Sequence, residues 1–287
     1  MTELLRPLLL TLQMIKWEHT IFAMPFAFIG LLVASNGRPD PIVLMWIVVA
    51  MVGARSSAMA FNRLVDHHID AKNPRTAMRE LPSGALQRVP VLLFTLGTAG
   101  MLIFAAWQLN EICLRFAPVA IVLIWFYSLT KRFTAFAHLF LGLALGIAPI
   151  GAWLAVTGEF ALFPVLLGIG VMCWVAGFDV LYACQDLDFD RQAGLHSIPA
   201  RWGADKARWI SRALHWVTIV MWFIAFREVG LVVAAQVGSA AVFALLGYEH
   251  WLTRSGDLSQ IDKAFFQVNS WVGLVLLGIV LVDLYLI

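Results

Sequence analysis

The stretch PIVLMWIVVAMVGARSSAMAFNRLVDHHIDAKNPRT, residues 41–76, carries the fold and the chemistry of this chain together. It opens on a predominantly apolar run of the kind that crosses a hydrocarbon layer about 30 Å thick, which takes about 20 residues of helix. It then places Asn62, Asp66 and Asp70 four residues apart. At 3.6 residues per turn, these three lie within about 80° of one helix face. The sequence therefore predicts a membrane helix that ends in a row of converging oxygen donors.

Outward from this stretch the chain keeps the same character. Of its 287 residues, 61% are hydrophobic and 13% charged, against roughly 25% charged in a soluble domain. We count nine apolar stretches, beginning near residues 18, 41, 88, 112, 134, 161, 208, 229 and 265. The short polar breaks between them, such as SNGRPDP, QLNE and VTGE, fit helical hairpins. The expectation is an all-α polytopic membrane protein, nine transmembrane helices around a central cavity, with residues 1–287 forming a single domain in the lipid bilayer. A net charge of +2 points to no nucleic-acid partner. Cys113, Cys173 and Cys184 stand singly, without metal-site or disulfide spacing. The N-terminal segment has no small-residue cleavage site and carries Lys16, Glu18 and His19 after its apolar part, so it is read as a retained, short interfacial helix.

Lys and Arg favour cytoplasmic loops. With a cytoplasmic N-terminus, the even-to-odd loops hold most of them, and the opposite loops hold only Arg38, Arg115 and Arg227. Two of the cytoplasmic loops, about 64–87 and 185–207, are long, and long loops in compact proteins are commonly functional. The second of them begins within GFDVLYACQDLDFDRQAGLHSIP, residues 177–199, where Tyr182, Asp186 and Asp190 repeat the i, i+4, i+8 spacing. Asp179 falls on the same face. Asp188, His67 and His68 point elsewhere.

A single interfacial Asp would simply solvate a helix end. A cluster is different, because each intramembrane carboxylate costs about 2.5–3.5 kcal/mol on insertion scales and like charges at i, i+4 repel. Such a cluster calls for a cation. Oxygen-only ligands favour Mg²⁺, which takes one or two carboxylates and leaves positions for phosphate oxygens. Two facing aspartate pairs can hold two ions on one diphosphate. Of the basic residues nearby, Lys72, Arg75, Lys131 and Arg132 are assigned to the site, where they neutralise a leaving diphosphate. Arg79, Arg88, Arg201 and Arg208 are assigned to membrane topology.

These residues resemble a family. The N-x-x-x-D-x-x-x-D run at 62–70 with Arg75-Thr76 beyond it, LPSG at 81–84, YSLTKR at 127–132, and Y-x-x-x-D-x-x-x-D at 182–190 followed by Gly194 and Ser197 are similar to the UbiA superfamily of intramembrane aromatic prenyltransferases. The resemblance covers nearly the whole chain. It implies transfer of a polyprenyl group from a polyprenyl diphosphate to an aromatic acid acceptor, 4-hydroxybenzoate first and a dihydroxynaphthoate second, in quinone biosynthesis. It implies that Asp66, Asp70, Asp186 and Asp190 position Mg²⁺ and diphosphate. Asn62, Lys72, Arg75, Lys131, Asp179 and Tyr182 assist, and Arg132 meets the acceptor carboxylate. The expected location is the bacterial inner membrane, with the active site facing the cytoplasm. Arg63 after Asn62 departs from the commoner N-D start.

Two other classes fit less well. The CDP-alcohol phosphotransferases also place aspartates at membrane helix ends, but their D-G-x-x-A-R segment is missing. An ion-coupled transporter also uses intramembrane carboxylates. Here, however, both motifs end even-numbered helices on one side of the membrane, which fits one shared site.

Overall fold

The computed structural model describes residues 2–16, 22–254 and 267–287, and every regular element among them is helical. In chain order these are α1 (Thr2–Ile15), α2 (Met24–Ala34), α3 (Pro41–Asp70), α4 (Arg88–Leu109), α5 (Glu111–Thr130), α6 (Ala137–Thr157), α7 (Leu162–Ala183), α8 (Leu187–Gln192), α9 (Ile198–Trp202), α10 (Ala204–Glu228), α11 (Ser239–Leu252) and α12 (Asn269–Leu286). Glu18, His19 and Lys263 lie outside the described residues, as do the expected starts of the first and ninth stretches.

Seven helical spans among the described residues are long and apolar enough to cross a membrane. Two of the nine expected crossings come out shorter. The first is α2, of 11 residues. The other is α11, of 14 residues, which continues directly from a π-helical segment at Ala234–Gly238 without a break in the helix. Helix length and composition alone therefore count seven crossings among the described residues.

Helix ends follow local chemistry. Asp40 caps α3, its side chain accepting from the Ile42 N–H at 2.7 Å, with Pro41 preset at the first helical position. Asn110 caps α5 by accepting from the Cys113 N–H at 2.9 Å, and its amide also donates to Leu154 O of α6 at 2.8 Å. Gly158, at φ 70°, closes α6 in the left-handed conformation that glycine takes without strain.

The bundle is organised around α7, buried along most of its length from Phe163 to Leu181. A cluster of Phe26, Phe163, Trp174, Trp222 and Phe226 packs it against α2 and α10. On the other side α6 comes within backbone contact. A Cβ on Gly142 would sit 2.2 Å from Met172 O, and one on Gly146 would sit 2.6 Å from Gly168 O. Small residues at such crossings let membrane helices pack by close van der Waals contact, since lipid gives no hydrophobic drive to pair them. This packing matters for the site: it brings the end of α7 beside the start of α6 and the end of α5.

Candidate active site

The first aspartate run is helical throughout, since α3 continues to Asp70 and shortens the loop expected from residue 64. Its carboxylates are buried, Asp66 to 2% and Asp70 to 4% exposure. The second run does not stay on one helix. Tyr182 lies on α7, Asp186 in a 3₁₀ turn at Cys184–Asp186, and Asp190 on α8. The i, i+4, i+8 regularity of its sequence is thus interrupted, and the two aspartates are placed by a tightened turn rather than by one straight helical face.

Both runs line one cavity of about 220 Å³. Every expected site residue except Lys72 and Arg132 belongs to its wall. Asp188, His67 and His68 are outside it, as their positions on the helices predict.

Each carboxylate has partners. Asp66 receives Lys131 Nζ at 2.6 Å, Arg132 Nη2 at 2.9 Å and Asn62 Nδ2 at 3.1 Å. Arg79 Nη1 donates to both oxygens of Asp70 at 2.9 Å. Arg75 grips Asp186 with Nε on Oδ1 at 2.9 Å and Nη2 on Oδ2, while its Nη1 donates to the Tyr182 hydroxyl at 2.9 Å. Asn73 Nδ2 donates to the same Asp186 Oδ1 at 3.0 Å. Asp190 accepts from the Ser197 hydroxyl at 2.8 Å. Burial works to lower the proton affinity of the Arg75 guanidinium, but the hydrogen bond to Asp186 and the charges of Tyr182 and Asp186 outweigh it and raise the pKa above its ordinary value. Arg75 is a fixed positive charge at any working pH.

These contacts and the cavity wall revise four expectations. The charge of the acidic cluster, which the sequence reading gives wholly to bound metal, is balanced in large part by the chain's own Lys131, Arg132, Arg79 and Arg75. Arg79, assigned to topology, is a wall residue and the partner of Asp70. Arg132 is committed to the Ser128 and Val65 carbonyls, each at 2.8 Å, as well as to Asp66. It braces the α3–α5 contact, and the role of meeting an acceptor carboxylate does not suit it. Lys72 is exposed on the loop after α3, away from the wall. Arg201 and Arg208 lie off the cavity wall, one over the Trp202 ring and one paired with Asp205.

A second cavity, of about 370 Å³, runs among α3, α4, α5 and α6. Its wall is apolar and rich in alanine, and Arg55 is the one charged side chain on it among the described residues. Tyr127 and Leu141 line both cavities, so the acidic cleft and the apolar cavity meet there. Arg55 precedes Asn62 by seven residues, two turns deeper on the same face of α3. That spacing was readable in the sequence, where an arginine inside a membrane span is a functional signal by default.

The donor set of the cleft suits a hard divalent cation, being five carboxylates and two amide oxygens with no thiolate. Among the described residues no three His, Cys, Asp or Glu side chains converge into a closed cage. Mg²⁺ needs none, because it is held by one or two carboxylates together with substrate phosphates and water.

Fold and site define a polytopic α-helical membrane protein in which a cleft of paired carboxylates and cations meets an apolar cavity. The family model described as the UbiA prenyltransferase family matches residues 23–271, and the chain belongs to that family. It is 32% identical to the 4-hydroxybenzoate octaprenyltransferase of Alkalilimnicola ehrlichii over 263 residues, 90% of this chain and 87% of that one. The apo structure of a UbiA homolog from Aeropyrum pernix K1 is 31% identical with a TM-score of 0.84, covering 93% of this chain and 98% of that one. A UbiA homolog from Archaeoglobus fulgidus, solved bound to DMAPP and Mg²⁺, shares the fold at 16% identity and a TM-score of 0.68 over 93% of this chain and 99% of that one.

Proposed function

We propose that this chain transfers a polyprenyl group from a polyprenyl diphosphate to 4-hydroxybenzoate in quinone biosynthesis, with Mg²⁺ as cofactor. The observation that carries this reading is the junction at Tyr127 and Leu141, where a cleft of paired carboxylates and cations meets an apolar cavity. A prenyl diphosphate has the same two halves. Membership of a prenyltransferase family and the relative named above support the same reaction.

Asp66, Asp70, Asp186 and Asp190, with Asn62, hold Mg²⁺, which when bound stabilises negative charge on the leaving diphosphate. Lys131, Arg75 and Arg79 line the cleft and add charge-assisted hydrogen bonds to the diphosphate oxygens. The carbon–oxygen bond of the donor breaks with its electron pair going to diphosphate, leaving an allylic cation at the mouth of the apolar cavity. The ring carbon ortho to the acceptor hydroxyl forms the new carbon–carbon bond, and loss of the ring proton restores aromaticity. The alanine-rich wall keeps water from the cation. Arg55 takes over the role first given to Arg132, its planar guanidinium pairing with the benzoate carboxylate. The protein sits in a bacterial inner membrane with the cleft on the cytoplasmic side, a placement supported by the Lys and Arg bias of the loops.

The test is an assay in purified membranes with Mg²⁺, a polyprenyl diphosphate and either 4-hydroxybenzoate or 1,4-dihydroxy-6-naphthoate, read by mass spectrometry. Prenylated hydroxybenzoate with release of diphosphate is expected. Product from the naphthoate alone would overturn the acceptor, and product from neither would overturn the reaction.

A further inference from the structure

The cleft wall contains a buried imidazole, His138, whose role none of the chemistry above assigns. It sits on the first turn of α6 and is 4% exposed. Its Nδ1 lies 2.7 Å from Asp179 Oδ2, and the Ile198 backbone N–H donates to its Nε2 at 3.3 Å. An amide N–H only donates, so these partners assign the lone pair to Nε2 and the proton to Nδ1, which donates to Asp179. The two neighbours differ in exposure: the His138 side chain is 5% accessible and that of Asp179 24%. The ring is hidden behind the carboxylate that it holds.

The other face of the ring reaches the rest of the site through α9. Ile198 follows Ser197, whose hydroxyl accepts from the Ala200 N–H at 3.2 Å and donates to Asp190 Oδ2 at 2.8 Å. The His196 N–H donates to Lys131 O at 2.8 Å, and Lys131 pairs with Asp66. One imidazole thus ties α6 to Asp179 directly and to Asp190 and Lys131 through the Leu195–Ile198 segment. A buried histidine with two satisfied partners is ordinarily a packing residue. This one differs in that its carboxylate partner Asp179 is part of the cavity wall, and so are Leu195, His196 and Ser197, which lead into its amide partner Ile198.

We propose that His138 is a positioning residue for the prenyl transfer: its neutral ring aligns the Asp179 carboxylate and holds the Leu195–Ser197 edge of the cleft against Asp190 and Lys131. The proposal rests on the functional reading above. Without the ring, Asp179 loses its aligning donor and the Ile198 N–H loses its acceptor. A displacement of about 1 Å at such a site is enough to cost on the order of 10²-fold in rate.

Three variants test it. His138→Ala removes both contacts. His138→Asn keeps an amide near the position of Nδ1, within reach of Asp179 but not of Ile198. His138→Gln reaches as far as Nε2 and offers both a donor and an acceptor. Three quantities are read per folded molecule: kcat for prenyl transfer, Mg²⁺-dependent binding of inorganic diphosphate, and amide hydrogen exchange over residues 195–203.

For His138→Ala a kcat loss of about 10–100-fold and diphosphate binding weaker by about tenfold are expected, as for loss of an outer-shell partner. Exchange at Ile198 accelerates in the same variant. His138→Gln recovers most of the loss, and His138→Asn falls between. The proposal is overturned if the His138→Ala loss tracks only the folded fraction, or if His138→Gln is as impaired as His138→Ala. Should His138→Ala not fold, wild-type kinetics, binding and exchange in both Asn and Gln variants would overturn it equally. A wild-type chain that transfers no prenyl group defeats the functional reading instead, while diphosphate binding and amide exchange still decide the brace.

Discussion

The two aspartate runs share a spacing and a cavity but differ in backbone and burial. The first rides on a continuous helix, with Asp66 and Asp70 almost fully buried and each locked by cations from elsewhere in the chain. The second is divided among α7, a 3₁₀ turn and α8, and its Asp186 side chain is 18% exposed. The same motif therefore serves as a rigid wall on one side of the cleft and as an adjustable one on the other. A buried carboxylate cannot be removed without stranding the charges around it, whereas a partly exposed one can be compensated by water.

This contrast is broken or sharpened most directly at Asp66. Asp66→Asn should lower turnover by about 10²–10³-fold, and it should also destabilise the fold. The cost should be about 2 kcal/mol, below the 3–5 typical of a fully buried pair, because Lys131 and Arg132 keep partial access to water. Prenyl-transfer rates and thermal unfolding of the detergent-solubilised protein measure the two effects together. The next largest effect falls on Asp186→Asn, with a loss of activity of about 10²-fold and an unfolding temperature near that of the wild type. An unfolding penalty as large as that of Asp66→Asn would erase the distinction between the two walls.

Arg75→Lys probes the adjustable side. Lysine cannot span both oxygens of Asp186 and the Tyr182 hydroxyl as the planar fork does, so KM for the prenyl diphosphate should rise by about tenfold, the equivalent of about 1.4 kcal/mol. Asn73→Ala removes one hydrogen bond to Asp186 and should cost less, about 1 kcal/mol in Mg²⁺-dependent diphosphate binding measured by titration. The smallest effect belongs to Lys72→Ala. Lys72 lies on an exposed loop off the cavity wall, so kcat and KM should both stay near wild-type values. A large loss there would show that the loop after α3 closes onto substrate.

Much of the site was legible because covalent spacing writes it. Asn62, Asp66 and Asp70 lie on one face of any helix that contains them, and Tyr182, Asp186 and Asp190 would do the same if their helix ran on. The break at Cys184–Asp186 was not legible, because no proline or glycine marks it. Arg79 was misassigned for a related reason. Nine residues beyond Asp70, it reaches that carboxylate only because the loop turns back, with Thr76 donating to the Asp70 carbonyl at 3.0 Å. Asn73 did leave a signal, since it stands before Pro74 in a turn three residues after Asp70. His138 left none, because its partner Asp179 lies 41 residues away on another helix.

By itself the sequence determined that the chain lives in lipid and that each of two polar helix ends carries aspartates at a helical repeat. Both are consequences of local quantities, the length of an apolar run and the pitch of a helix. The close crossing of α6 and α7 at Gly142 and Gly146, the cations paired with each carboxylate, the meeting of cleft and apolar cavity at Tyr127, and the brace at His138 were decided only by tertiary structure. The physical reason is range. Hydrogen bonds and ion pairs act over about 3 Å, and residues 40 to 110 positions apart come within that distance only when close packing has fixed how the helices cross.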